Sequence, residues 1–412
     1  MRSLALSPST IDNPKLFRRL LTAIFLCLAL FHGRAIWQDR AAIESAHGDF
    51  LIFFSGAEIV RDGNAANLYD LKLQAQYQNR FDIKIRDGAL PYNHPAFQLL
   101  IFLPLASFDY TTAFLIWGAV NCFILIGIGK LLLPYVDVEN RVLCAALLIG
   151  FFPIAAALWQ GQDSILTTFL FAATFVSLKR QRDGLAGCLI ALGSYKPHLI
   201  IPLAALFVYT RRWRAVIGFA ATGAALACLS LLMVGWRGTL AYWQLLSWIA
   251  DHNYSIDPIK MANLRGLVEY LIASATLAAV VQGVIVVTSI TMLVWGLSQW
   301  KGEIAYDGPR FDLKFAQLVV LTLLLSYHLY VHDLSLLALA LIIMVNAALS
   351  PDTNDSTLLS LAITAFIGLS LPVVQLLLQE GLIPWFSLLL LVIAVAMRQQ
   401  MTLAEERLGV AQ

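Results

Sequence analysis

The chain has 412 residues, 59% of them hydrophobic and 13% charged, whereas a soluble domain carries roughly 25% charged residues; water is not its main solvent. A net charge of +2 without a long basic run gives no footing to a nucleic-acid partner. Its five cysteines, Cys27, Cys122, Cys144, Cys188 and Cys228, stand singly inside apolar segments, which excludes a disulfide framework or a thiolate metal cluster and leaves them as small core hydrophobes.

In chain order, Lys15, Arg18 and Arg19 precede an apolar run from Leu20 to Phe31. His32, Arg34 and Trp37 then stand where a signal peptide would need small residues, so the run reads as an uncleaved first helix. A spanning helix needs about 20 mostly apolar residues. Such segments are expected at 16–38, 110–134, 141–159, 163–178, 213–234, 274–298, 314–328, 333–349, 357–378 and 382–397. A pair of shorter ones is expected at 184–195 and 198–210, as a hairpin with Lys196-Pro197 at its tip. The fold class is thus an all-α polytopic membrane protein of roughly ten to twelve transmembrane helices, forming one membrane domain over 1–412. Lys179-Arg180-Arg182 and Arg211-Arg212-Arg214 favour the cytoplasmic side of short connections. This threading leaves both termini cytoplasmic in an inner membrane, with 39–93 and 235–272 as large external loops. Within the first loop, Phe50 to Val60 should lie along the interface as a helix. Residues 95–107, interrupted by Pro104, should form a short helix leading into the second span.

The polar groups are then gathered at the external face. Asp49 follows the first span; His94 sits in P-Y-N-H-P before the second; Gln160, Gln162 and Asp163 join the third and fourth. Lys196 tips the hairpin, His252 and Arg265 lie in the second large loop, and His328 and His332-Asp333 join two late spans. Each also has a structural reading. Asp49 suits a helix N-cap, the glutamines and Asp163 a tight turn, Lys196 a snorkelling cation, and His328 and His332 an interfacial pair one helical turn apart. Together, ionisable groups near membrane depth point to function: a lysine to hold a lipid phosphate and a carboxylate to take a proton from a hydroxyl. No D-x-D or H-E-x-x-H pattern calls for a metal.

The runs H-G-D-F at 47–50, G-N-A-A-N-L-Y at 63–69, P-Y-N-H-P at 91–95 and L-P-L-A at 103–106 resemble the first external loop and second helix of glycosyltransferase family 87. Later runs, Q-G-Q-D-S at 160–164, G-C-L-I-A-L-G-S-Y-K-P at 187–197, R-R-W-R-A at 211–215 and S-Y-H-L-Y-V-H-D-L at 326–334, follow in the family's order. Tyr92-Asn93-His94-Pro95 departs from the paired prolines that many members carry after this tyrosine. The resemblance implies a type-C glycosyltransferase with Asp49 as catalytic base, His328 and His332 as a late polar pair, and Lys196 as a lipid-phosphate contact. His94, Gln160, Gln162, Asp163 and Arg265 would complete the substrate site. It further implies transfer of a hexose, mannose foremost, from a polyprenyl-phosphate-hexose donor to a lipid or glycan hydroxyl with inversion, without metal or cofactor. A lipid or sugar transporter remains the alternative from another class, and a lipid-linked-sugar binder without turnover is a third.

Overall fold

The computed structural model describes residues 14–46, 48–81, 89–252, 254, 257–272, 278–301, 306, 308–350 and 355–410. His47, residues 82–88 of the first large loop and the start of the span expected from 274 lie outside this set. Every regular element among the described residues is helical, as hydrocarbon requires of backbone that has no water to bond.

The principal helices are α1 (Pro14–Gln38), α2 (Phe50–Arg61), α3 (Leu71–Gln78), α4 (Tyr110–Leu132), α5 (Arg141–Gly150), α6 (Phe152–Gln160), α7 (Ser164–Lys179), α8 (Asp183–Leu192), α9 (Pro197–Tyr209), α10 (Trp213–His252), α11 (Leu264–Leu271), α12 (Ala278–Ser298), α13 (Pro309–Leu325), α14 (Leu337–Ala348), α15 (Ser356–Gly368), α16 (Leu371–Gln379) and α17 (Phe386–Val410). Among the described residues, six helices are long and apolar enough to cross a bilayer, or eight segments if each of two bent pairs is one span. This is fewer than the ten to twelve expected. The reason is length: α7, α8, α9 and α13 have 16, 10, 13 and 17 residues, rising about 24, 15, 20 and 26 Å against a hydrocarbon layer of about 30 Å. The bent pairs are α5 with α6, at 41°, and α15 with α16, at 66°. Pro153 and Pro372 stand in the first turns of α6 and α16, where the missing N–H costs nothing and the preceding helix cannot continue.

The helices differ sharply in exposure. The segment Val331–Ala348, which ends in α14, is 89% buried and central, whereas the apolar window of α10 is only 6% buried and turns Leu232, Trp236 and Trp243 outward to lipid. The α8–α9 hairpin is held to α10 by close approach of small residues, the usual device where lipid supplies no hydrophobic drive between helices. A Cβ added at Gly187 would lie 1.9 Å from the Ala215 carbonyl oxygen.

Three expectations are corrected. Helix α2 starts where foreseen but is covered by protein on nearly all sides: Phe50, Leu51, Phe53, Ala57 and Ile59 are at most 1% exposed, because the first loop and residues 92–117 build a core of their own, with Phe53 stacked on Phe102 at 4.7 Å and Phe102 against Trp117 at 4.8 Å. Residues 95–107 form two 3₁₀ turns, Ala96–Ile101 and Leu105–Ser107, on either side of Pro104. Residues 236–252, foreseen as loop, continue α10 beyond a kink at Gly235, whose φ is 67°.

Candidate functional site

The hairpin is real, and its orientation is set by ion pairs at both ends. Arg212 pairs with Asp183 at its base at 3.0 Å, where Lys179, at the far end of α7, also meets Asp312 of α13. At the other end Lys196 reaches the start of α7. Its Nζ lies 2.7 Å from Asp163 Oδ1, 2.6 Å from Asp333 Oδ1 and 2.8 Å from Ser164 Oγ. Ser164 in turn donates to Asp333 at 2.8 Å.

The ammonium donates to Ser164 and Asp333 and forms an ion pair with Asp163, so one cation is shared between two carboxylates. Asp163 Oδ2 also accepts from the Gln98 amide, which accepts from Tyr92 at 3.2 Å. Lys196, Asp163 and Asp333 are each at most 4% exposed. Lys196 is thus turned to buried carboxylates, away from the open position that the expected phosphate contact would need.

From this buried triad the network runs outward. Asp333 Oδ2 stands 3.5 Å from His332 Nε2, and His332 Nδ1 lies 2.6 Å from Gln160 Oε1. On the other side of the same turn, Gln162 donates to Asp49 Oδ2 at 2.8 Å. Asp49 occupies the N-cap position of α2 yet makes no capping bond with its side chain. The Gln160-Gly161-Gln162 turn that carries both amides needs its glycine, since Gly161 has φ +64° and a Cβ there would sit 2.6 Å from Phe50 Cβ.

Asp49, Gln160 and His332 line a cavity of about 710 Å³, together with Asp257, Lys260 and Tyr330 at its polar end. The rest of its wall comes from Val331 and from the second halves of the two bent pairs, apolar but for Gln375 on α16. Phe152, Ala156 and Trp159 on α6 recur at helical spacing, as do Leu371, Val374 and Leu378 on α16, so each helix turns one face to the same space. The cavity is amphipathic from end to end.

The remaining expected residues sit elsewhere. His328 is not among the residues lining the cavity, and it does not share a helical face with His332, because α13 ends at Leu325 and the chain is non-helical, bent at Tyr327 and His328, until a 3₁₀ turn begins at Val331. Burial pushes its imidazole down to about 4, and its ring meets Tyr330 and His198 at 4.4 and 6.4 Å. His94 bonds the Tyr195 carbonyl through Nδ1 at 3.0 Å, tying P-Y-N-H-P to the hairpin. Arg265 is spent on Glu269 at 2.6 Å and on the Tyr327 ring at 4.0 Å, which clamps α11 to residues 326–329. His252 bonds its own helix at Trp248. Asp333 was foreseen among the external polar groups but given no role in the site, and Asp257 and Lys260 were not foreseen at all. A charge inside the otherwise apolar run that follows His332 was a usable signal for Asp333; the other two lie in a polar loop that carries none.

These features define a polytopic membrane protein whose buried ion network braces a cavity with one polar and one apolar end. Residues 92–326 match glycosyltransferase family 87, more than half of the chain. The chain belongs to that family and is a membrane glycosyltransferase, acting on a sugar donor and an acceptor. The matched stretch contains His94, Gln160, Gln162, Asp163, Lys196 and Arg265, while Asp49, His328, His332 and Asp333 lie outside it. No curated protein and no solved structure matches the chain.

Proposed function

We propose that this glycosyltransferase moves a hexose, mannose foremost, from a polyprenyl-phosphate-hexose to a hydroxyl acceptor at the external membrane face, with inversion. One observation carries the reading: a single cavity joins the half-buried Asp49 carboxylate to the apolar faces of α6 and α16, so a lipid tail and a sugar can be held together in it. Asp49, steered by the Gln162 amide, takes the acceptor's hydroxyl proton as that oxygen bonds the anomeric carbon. The bond from that carbon to phosphate oxygen breaks on the opposite face, and the polyprenyl phosphate leaves with the bonding pair. Lys196 acts as a positioning residue, holding Asp163 and Asp333 and through them Gln98 and His332. The preference of basic clusters such as those around Lys179 and Arg211 for the cytoplasmic side supports an external site, since the cavity lies at the other end of α7.

Incubating the purified protein with radiolabelled polyprenyl-phosphate-mannose and a membrane lipid extract tests the proposal. Label should pass to a new lipid or glycan. Transfer from a nucleotide sugar, with none from any polyprenyl-phosphate-hexose, would overturn it.

A further inference from the structure

The cavity brings a sugar-binding polar end against an apolar track, and a lipid-linked sugar places its phosphate at the junction. That phosphate is a diester with a single negative charge, so one well-placed cation suffices. We propose that Lys260 is the cation that receives it. This rests on the lipid-donor reading above and names a substrate-binding residue within the same site.

Lys260 lines the cavity, and its side chain is 56% exposed, with Nζ 2.9 Å from Asp257 Oδ2. A pair this exposed contributes about 0–1 kcal/mol, so the ammonium can turn to a ligand at little cost. The two cations foreseen for the site differ on that point. Lys196, 4% exposed, is paired with the buried Asp163 and Asp333, and Arg265, 1% exposed, is held by Glu269 and covered by Tyr327.

The segment that carries Lys260 is rigid. It is a 3₁₀ turn, Pro258–Lys260, closed by the Met261 N–H on the Pro258 carbonyl at 3.0 Å. Asp257 N–H donates to the Tyr330 hydroxyl at 3.1 Å on one side of it, and Asn263 Nδ2 donates to the Ser326 carbonyl at 2.7 Å on the other. The lysine is thus fixed to the same loop that delivers His332. Among the groups that share its polar end, Asp49, Asp257 and Tyr330 offer carboxylate and phenol oxygens suited to sugar hydroxyls, and His332 turns its ring nitrogens to Gln160 and Asp333, which leaves the phosphate to the ammonium.

The test is equilibrium binding of polyprenyl-phosphate-mannose to detergent-solubilised full-length protein carrying Asp49→Asn, which blocks turnover. Adding Lys260→Gln should weaken binding by about tenfold or more, the scale of a lost charged hydrogen bond. Lys260→Glu should weaken it further, and Lys260→Arg should largely preserve it. Inorganic phosphate at the same concentrations should not compete, because it lacks the prenyl chain; effective competition would mean a simple anion site and would overturn the proposal. Unchanged affinity in both Lys260→Gln and Lys260→Glu, with the Asp49→Asn parent binding normally, would remove Lys260 from the site and leave the lipid-donor reading standing. Failure of both the Asp49→Asn parent and the wild-type protein to bind would defeat that reading itself, and this proposal with it.

Discussion

At the scale of single residues, the contrast between Asp49 and Lys196 separates chemistry from support. Asp49 is half-buried on the cavity wall with one amide donor on its carboxylate, a setting that leaves an oxygen free to meet a hydroxyl. General-base contributions run at about 10²–10⁴-fold, so Asp49→Asn should lower kcat on that scale in the radiolabelled transfer assay, with the thermal unfolding midpoint almost unchanged. Near-normal turnover would move the base to His332, the other titratable group from the sequence reading that lines the cavity. Lys196 should behave in the opposite way. Truncating one partner of a buried ion pair costs about 3–5 kcal/mol, because the partners are left as uncompensated charges. Lys196→Ala should therefore lower stability markedly, as read by thermal unfolding in detergent. Adding Asp333→Asn should restore part of the loss by removing one orphaned charge. If Lys196→Ala unfolds like the wild type and only its donor KM rises, the lysine contacts substrate after all.

At the scale of elements, the two broken helix pairs do what a straight helix could not. A continuous span buries one stripe against its neighbours and gives the other to lipid. A break lets the second half swing away and open a wall, here along α6 and α16. If the prenyl chain lies in that groove, filling it should act on lipid binding alone. Ala156→Trp and Val374→Trp should each raise the donor KM severalfold for long-chain polyprenyl-phosphate-mannose while leaving a short-chain analogue closer to normal. An equal loss with both chain lengths would mean that the tryptophans distort the polar end instead. The hairpin follows a related logic. With α8 rising only about 15 Å, about half a hydrocarbon layer, the hairpin brings Lys196 into the protein interior, where a charge needs a partner, and the start of α7 together with Asp333 supplies the pairing.

At the scale of the whole molecule, the network joins segments distant in the chain. Asp49, Gln98, Asp163, Lys196 and Asp333 meet across the bundle, while Arg18, Glu139 and Asn140 join with the Leu349 carbonyl at the opposite end. The two ends should face opposite sides of the membrane. In a cysteine-free background, a cysteine at position 67 should react with an impermeant maleimide added to intact cells, and one at 181 should react only after permeabilisation. Labelling of 181 in intact cells would invert the topology and place the cavity inside.

The apolar segments could be read along the chain because hydrocarbon imposes a length and a composition that are local properties. Each expected span coincides with a helix or a bent pair, and the polar residues at Asp49, Gln160 and His332 were visible as charges and amides between apolar runs. Whether a polar residue faces a cavity or a buried partner is not local. Lys196 and Lys260 are both lysines beside a proline-containing turn, and only the packing of α7 and the late 3₁₀ turn around the first decides that it is paired. The burial of α2 was hidden for the same reason, since its cover comes from residues 92–117 and is not announced by its own amphipathic pattern. The sequence by itself determined a polytopic helical membrane protein with its polar chemistry in the connections at one end. The tertiary structure decided which of those groups are spent on one another and which are left to meet a substrate, because hydrogen-bond capacity is finite and is allotted only once distant segments are in contact.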